Sequence, residues 1–304
     1  MRKVWLLSFT LIGLIGLGVL LLLSIPHSLL PSALSPAVLP SQELGIRYQS
    51  QTLPQSVVHI LWIPAQSRFS VTPALSQSLD TLENFAQKNR AVAALNGGFF
   101  DPANQKSTSY VVLQGKLVAS PKLNSRMIKN PDLAPYLDKI LNRTEFRRYL
   151  CGETVRYGIA FHSELPPGGC QLVDALGGGP RLLPDLTSVQ DGFLDYSNGK
   201  VIRDSLGSSQ PNARTAVGIT RDGSILWVMV AQKPEAPTTS GMSFQALAAF
   251  MKTLGVEEAM NLDGGSSSSL YYKGKTIYGK VNSQGNVVRR SVKSVLLIRE
   301  NLVL

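Results

Sequence analysis

Apolar positions along the chain fall into three rhythms. From Val4 to Leu23 they form an almost unbroken run, interrupted only by Ser8, Thr10 and three glycines. About 20 such residues cross a bilayer core as a helix. The flanking Arg2 and Lys3 favour a cytoplasmic N-terminus. The pattern predicts a cytoplasmic stub over 1–3 and a single-pass transmembrane signal anchor over 4–23. A cleaved signal peptide is the alternative, although its apolar stretch is ordinarily shorter and Ala33-Leu34-Ser35 offers only a poor cut site. Both readings put the rest of the chain outside the cytoplasm, in a periplasmic or extracellular space.

Residues 24–56 carry Pro26, Pro31, Pro36, Pro40 and Pro54 among serines. This composition predicts an extended tether. From residue 57 to 304 a second rhythm takes over: short β-branched and aromatic runs separated by turns. Val57–Ile63, Phe69–Thr72, Tyr157–Phe161, Gln171–Leu176, Ser268–Tyr272, Thr276–Tyr278 and Ser291–Ile298 read as strands. Tyr110–Leu113 and Lys116–Ala119 form a hairpin about Gln114-Gly115, and Arg214–Thr220 with Ile225–Ala231 another about Asp222-Gly223. Ala91–Leu95 and Ala259–Leu262 are short, continuous apolar runs of buried strand type.

The third rhythm is helical. It covers Leu79–Lys88, a stretch from Ser243 as cap to Leu254, and residues 131–150. Many strands with few helices predict an α+β fold. The expected form is one domain around a large mixed, mostly antiparallel sheet. A basic helical insertion is expected at about 120–156.

Composition adds little to this picture, but charge adds something. The formal charge is +10 over 304 residues, and Lys116, Lys122, Arg126, Lys129, Lys139, Arg143, Arg147, Arg148 and Arg156 crowd one stretch. Such a face attracts anionic polymers or lipid headgroups, or is simply a solvated surface. Nucleic acid is not an expected partner, because no binding motif is present. Cys151 and Cys170 are the only thiols. In an oxidising compartment they can pair, and unpaired cysteines are the alternative.

Four polar or glycine-rich segments stand where apolar strands end. They are Asn96-Gly97-Gly98-Phe99-Phe100-Asp101, Gly177-Gly178-Gly179-Pro180-Arg181, Asn212-Ala213-Arg214-Thr215 and Asn261-Leu262-Asp263-Gly264-Gly265-Ser266-Ser267. Any one of them could be an ordinary turn. Together they offer carboxylates, backbone amides free of Cβ, hydroxyls and a planar guanidinium suited to phosphate. His27, His59 and His162 adjoin none of these loops, so a serine–histidine triad lacks its base. No His-Glu-x-x-His, phosphate-binding loop or dinucleotide fingerprint occurs. No cofactor or metal is expected, with carboxylate-bound calcium left open.

Asn96-Gly97-Gly98-Phe99-Phe100, Arg214-Thr215-Ala216-Val217-Gly218-Ile219, Gly241-Met242-Ser243 and Asn261-Leu262-Asp263-Gly264-Gly265 resemble, in order and spacing, the motifs of the phosphodiester glycosidase family. The resemblance covers roughly residues 88–300. It departs from the family at Ser266, where a third glycine is common, and over residues 120–156, which have no match.

The resemblance implies a hydrolase that cleaves the bond from a sugar's anomeric carbon to a phosphodiester. The substrate would be a phosphorylated glycan, and bacterial relatives are described as exopolysaccharide-associated. On this basis Asp263 is the expected catalytic carboxylate, with Asp101 second. Arg214, Thr215 and the Gly264–Ser267 loop would hold the phosphate, while Asn96, Gly97 and Gly98 line the opposite wall. Asn261 and Arg181 complete the set. A non-catalytic module binding an anionic envelope polysaccharide through the same loops is the rival reading, and phosphodiester cleavage at P–O a third.

Overall fold

The computed structural model describes residues 45–65 and 67–301. The expected membrane anchor over 4–23 lies outside the described residues. Three antiparallel sheets carry the chain, rather than one large mixed sheet. A six-stranded sheet has the order β1 (Arg47–Leu53), β2 (Ser56–Ile63), β14 (Ile225–Ala231), β13 (Arg214–Thr220), β15 (Val256–Asn261), β10 (Arg181–Leu183). A five-stranded sheet runs β17 (Lys275–Tyr278), β16 (Ser269–Tyr272), β4 (Ala93–Asn96), β18 (Val292–Glu300), β3 (Phe69–Asp80). A second five-stranded sheet runs β6 (Lys116–Ala119), β5 (Val111–Leu113), β9 (Cys170–Gly177), β7 (Thr144–Cys151), β8 (Thr154–Phe161). A two-stranded ribbon, β11 (Leu194–Ser197) with β12 (Lys200–Asp204), stands apart.

The sheets meet around one apolar core. Leu61, Val217, Trp227 and Met260 from the six-stranded sheet pack with Leu95, Leu270 and Leu296 from one five-stranded sheet and Val111, Phe146 and Leu176 from the other. Each fully buried side chain of this size stabilises the fold by about 1.5–3 kcal/mol. The outer face of the six-stranded sheet is covered by α4 (Phe244–Thr253), through Phe244, Leu247 and Met251. Its cap is Ser243, which accepts from the Ala246 amide at 3.2 Å. The other exposed sheet face is covered by α1 (Leu82–Lys88), through Leu82, Phe85 and Ala86. Because β13 and β14 lie between other strands with both faces packed, all their residues are buried. That accounts for their continuous apolar runs.

Three further expectations are corrected. Residues 47–53, within the expected tether, form β1, which pairs with β2 along its whole length from Arg47↔Trp62 to Leu53↔Ser56. It is an exposed edge strand, so its side chains are mostly polar and the period-2 signal is absent. Residues 79–80 belong to the end of β3, and α1 begins only after Thr81, whose hydroxyl accepts from the Asn84 amide at 3.2 Å.

The third correction concerns the helix expected over 131–150. A short α2 (Ser125–Ile128), a 3-10 turn (Pro131–Tyr136) and a short α3 (Leu137–Ile140) give way at Thr144 to β7, an interior strand. The charges there do not form a solvated helical face. Arg147 is 2% and Glu145 1% exposed, and the two pair at 2.8 Å inside the protein. Cys151 and Cys170 face each other in the β7–β9 register and are disulfide-bonded.

Candidate active site

Strands from all three sheets end at one place, and the glycine-rich segments join them there. The Asp263 amide donates to the Gly97 carbonyl at 2.9 Å, tying the turn after β15 to the end of β4. The Gly265 amide donates to the Ala213 carbonyl and the Gly179 amide to the Asn261 carbonyl, at 2.9 and 2.8 Å. The Gly178 amide donates to the Thr144 carbonyl at 2.9 Å and brings in the third sheet.

Asn96 holds the centre of this junction. Its Nδ2 donates to the Asp263 carbonyl at 2.6 Å, and its Oδ1 accepts from the Thr215 hydroxyl at 2.8 Å and the Ser269 amide at 3.0 Å. It is fully buried. Asn96 therefore works as a bracket behind the pocket and does not line a wall. Thr215, also fully buried, shares that role. So do Gly97 and Gly98. A Cβ on Gly98 would stand 2.3 Å from the Gly177 carbonyl oxygen, so glycine there permits two backbones to touch.

In front of the bracket is a polar pocket of about 350 Å³. It is lined by Asn261, Asp263, Gly264 and Gly265 together with Arg214, Asn212, Phe99 and the 205–207 loop. Of the residues expected from sequence, Arg214, Asn261, Asp263, Gly264 and Gly265 meet here.

Asp263 carries the notable electrostatics. Burial raises its carboxyl to about 6, while the Ser267 side chain, the charge of Arg290 and the Gly264 amide pull the other way. The Gly264 amide donates to Asp263 Oδ1 at 2.9 Å. A carboxyl that titrates near neutrality, in a pocket and close to cations, can hold or release a proton at working pH.

Arg214 is placed otherwise than expected. Its Nε donates to the Met242 carbonyl (3.0 Å), Nη1 to that of Leu206 (3.0 Å), and Nη2 to those of Gly207 (2.7 Å) and Gln210 (2.9 Å). Its guanidinium also lies over the Phe244 ring, 4.3 Å from the centroid. Arg214 thus clamps the 205–210 loop and contributes positive charge, with most of its fork occupied. Burial lowers it to about 10, so it stays charged at neutral pH.

The amides of the Gly264–Ser267 turn are likewise engaged: Gly264 with the Asp263 carboxylate, Gly265 with Ala213, and Ser267 with the Gly264 carbonyl. The expected amide cradle for phosphate is therefore largely filled from within. Ser267 is buried behind the turn, and the Ser266 hydroxyl accepts from Arg290 Nη1 at 2.7 Å.

Two expected residues lie elsewhere. Asp101 accepts from the Ala103 amide at 2.9 Å and pairs with Arg126 at 3.0 Å, which occupies it in its own turn. Arg181 sits over the Phe161 ring, 4.9 Å from the centroid, in β10.

The sequence reasoning missed Arg290 and Lys280. Arg290 stands two residues before β18, much as Arg214 heads β13, and that shared position was the available signal. Lys280 follows β17, and its Nζ donates to Asn212 Oδ1 at 3.0 Å. Burial and then the charge of Arg214 lower its ammonium. Nothing in its local sequence marks it. Among the described residues no cluster of His, Cys, Asp or Glu has the makings of a metal site.

The fold recurs in solved structures. The catalytic domain of zebrafish N-acetylglucosamine-1-phosphodiester alpha-N-acetylglucosaminidase, auto-inhibited by its pro-peptide, aligns with a TM-score of 0.58 at 20% identity, over 84% of this chain and 82% of that one. A hypothetical protein from Synechocystis aligns at 0.51 and 17%, over 83% of this chain and 61% of its own. A Burkholderia pseudomallei protein described as exported aligns at 0.51 and 18%, over 80% and 74%. At these identities the likeness shows the fold alone. Among curated proteins none matches the chain. The model of the phosphodiester glycosidase family matches residues 89–299, and the chain belongs to that family.

Proposed function

We propose that the protein is a hydrolase that cleaves a sugar-1-phosphodiester at the bond between the anomeric carbon and oxygen, outside the cytoplasm. The substrate would be an envelope or extracellular glycan. One observation carries the reading: Asp263, the single carboxylate lining the pocket among the described residues, titrates near 6 close to Arg214 and Arg290. Family membership supports it. The disulfide and the apolar N-terminal run support the compartment.

An ordinary glycosidase needs a second carboxyl to protonate an alkoxide leaving group. A phosphate monoester leaves with a second pKa of about 6 and needs little protonation. What it needs is stabilisation of the developing charge, which the cations supply. The anomeric C–O bond breaks, its electrons stay on the phosphate oxygen, and a water oxygen ends on the anomeric carbon. Asp263, as carboxylate, either accepts that water's proton or first attacks the carbon itself. A trapped glycosyl-enzyme would distinguish the two routes.

The test is to incubate the full chain with aryl sugar-1-phosphodiesters in ¹⁸O-labelled water. Free sugar carrying the label, with unlabelled phosphate monoester, is the expected result. Release of sugar phosphate would mean P–O cleavage, and binding without release would make the protein a binding module; either overturns the proposal.

A further inference from the structure

With the fork of Arg214 occupied, the pocket needs another group to grip the phosphate, and Arg143 fits. It lies between α3 and β7, in the stretch without a match to the family motifs. Its Nε donates to the Asp191 carbonyl at 3.0 Å. Its guanidinium lies 3.7 Å from the Phe193 ring centroid and 5.8 Å from that of Phe99. Phe99 lines the pocket with Asp263, so Arg143 stands next to a lining residue and is not itself one of the lining residues.

Its terminal nitrogens, like those of Arg203, are left open by the protein. Among the described residues, Nη1 and Nη2 of Arg143 have no hydrogen-bond partner, yet neither is sealed from solvent. The half-buried guanidinium thus presents its outer edge to open space. The interior Arg147 differs, its Nη atoms donating to the carbonyls of Glu164, Phe161 and His162 at 2.7–2.8 Å.

The acid beside Arg143, Asp191, attracts it by charge but gives its guanidinium no carboxylate hydrogen bond. The Asp191 carboxylate is taken by the Thr144 amide at 2.7 Å, the Thr144 hydroxyl at 3.0 Å and the Thr187 hydroxyl. The other charge acting on Arg143 is a second cation, Arg203. Burial lowers Arg143 to about 9 against the pull of Asp191, which leaves it charged at neutral pH. Arg203 is pinned by its Nε to the Gly192 carbonyl at 2.8 Å and lies over the Tyr136 ring, 4.5 Å from the centroid. It lines a groove that shares Ser205 with the Asp263 pocket.

We infer that Arg143 binds the substrate's phosphoryl group through its paired Nη donors, with the rest of the leaving group directed into the groove beside Arg203. A planar fork backed by an aromatic face is suited to two parallel bonds to phosphate oxygens. A purely structural arginine would need only the Nε contact and the ring. This inference rests on the hydrolase reading for its substrate, but anion binding can be measured without turnover.

The experiment titrates inorganic phosphate and glycerol phosphate into the full chain by calorimetry, for wild type, Arg143→Gln and Arg143→Lys. Thermal melting confirms the fold, and the KM for an aryl sugar-1-phosphodiester is measured in parallel. Wild type should bind both anions. Arg143→Gln should weaken binding and raise KM by roughly 10- to 100-fold, as expected for a lost charge-assisted pair. Arg143→Lys should recover only part, because a point charge cannot reproduce the fork.

Absence of phosphate binding in wild type, or equal binding by a well-folded Arg143→Gln, overturns the inference. If the glutamine variant does not fold, the lysine variant decides: binding equal to wild type overturns it, and weaker binding sustains it. Arg143-dependent phosphate binding without turnover would sustain this inference and sink the hydrolase reading.

Discussion

Asn96-Gly97-Gly98 and Asp263-Gly264-Gly265 have the same outline, a polar residue and two glycines at the end of an apolar strand, yet do opposite jobs. In the first, all three residues are buried and their glycines let backbones touch. In the second, Asp263, Gly264 and Gly265 line a pocket and the polar side chain titrates. The two are in contact through Asp263 N–H and the Gly97 carbonyl. What separates them is which one the pocket reaches. A motif of this kind reports that strand ends converge, and access decides where the chemistry is.

The largest effect should come from breaking the reactive half. Asp263→Asn should lower turnover by at least about 10²–10⁴-fold, the usual contribution of a positioned acid–base group. The fold should tighten as activity is lost. The carboxyl of Asp263 is raised in the native state, so the folded protein holds its proton more strongly than the unfolded chain. Its contribution to stability is therefore greatest below the ordinary carboxylate range and declines as pH rises through about 6. Asparagine has no such penalty. The melting temperature of Asp263→Asn should exceed wild type above pH 6, with the gap closing towards pH 4. An active Asp263→Asn, or one equally destabilised at every pH, would erase the contrast between the segments.

The bracket half should respond in stability first. A Cβ on Gly98 would meet the Gly177 carbonyl oxygen at 2.3 Å and Ser109 Oγ at 2.9 Å, whereas one on Gly264 would find the Ala213 oxygen at 3.2 Å. Gly98→Ala should cost about 3 kcal/mol, at the upper end for overpacking, and Gly264→Ala under about 1. Denaturant titration of the two variants measures this directly. Asn96→Ala should cost at least as much as Gly98→Ala, about 3 kcal/mol or more, since it orphans the Thr215 hydroxyl, the Ser269 amide and the Asp263 carbonyl at about 1 kcal/mol or more each. Its kcat should also drop, with little change in KM, because Asp263 loses its support without any loss of substrate contact.

How much of this was legible in the sequence follows the same division. The β13–β14 hairpin and α4 with its Ser243 cap were readable, because their signals are local: a two-sided apolar run about Asp222-Gly223, and a hydroxyl before a helical period. β1 was not, because an edge strand with exposed side chains has no apolar face to betray it. β7 misled because Glu145 and Arg147 are buried by pairing with each other, which composition cannot distinguish from exposure. At the site, the convergence of Arg214, Asn261 and Asp263 was legible from strand-end position. The division of labour was not. Whether Arg214 offers its fork to a ligand depends on carbonyls of Leu206, Gly207, Gln210 and Met242, contributed by backbone whose placement is set by tertiary structure.

The smallest predicted effect is also the most specific to this electrostatic arrangement. If Asp263 acts as its carboxylate, kcat/KM should fall on the acid side with an apparent midpoint near its value of about 6. Arg290 is one of the influences holding that value down, and it also donates to the Ser266 hydroxyl at the edge of the same turn. Arg290→Met removes the charge while keeping much of the stem that lies near Phe100, where the guanidinium is 5.0 Å from the ring centroid. The acid limb should therefore move to higher pH, the plateau rate should fall because one of the charges offered to the leaving phosphate is gone, and the melting temperature should be nearly unchanged. The bracket variants should leave the midpoint near 6, because they touch the backbone of Asp263 and not the charges facing its carboxyl. A pH–rate profile of Asn96→Ala beside Arg290→Met separates the two kinds of support. An acid limb that stays fixed in Arg290→Met would show that some other group, and not Asp263, governs the rate.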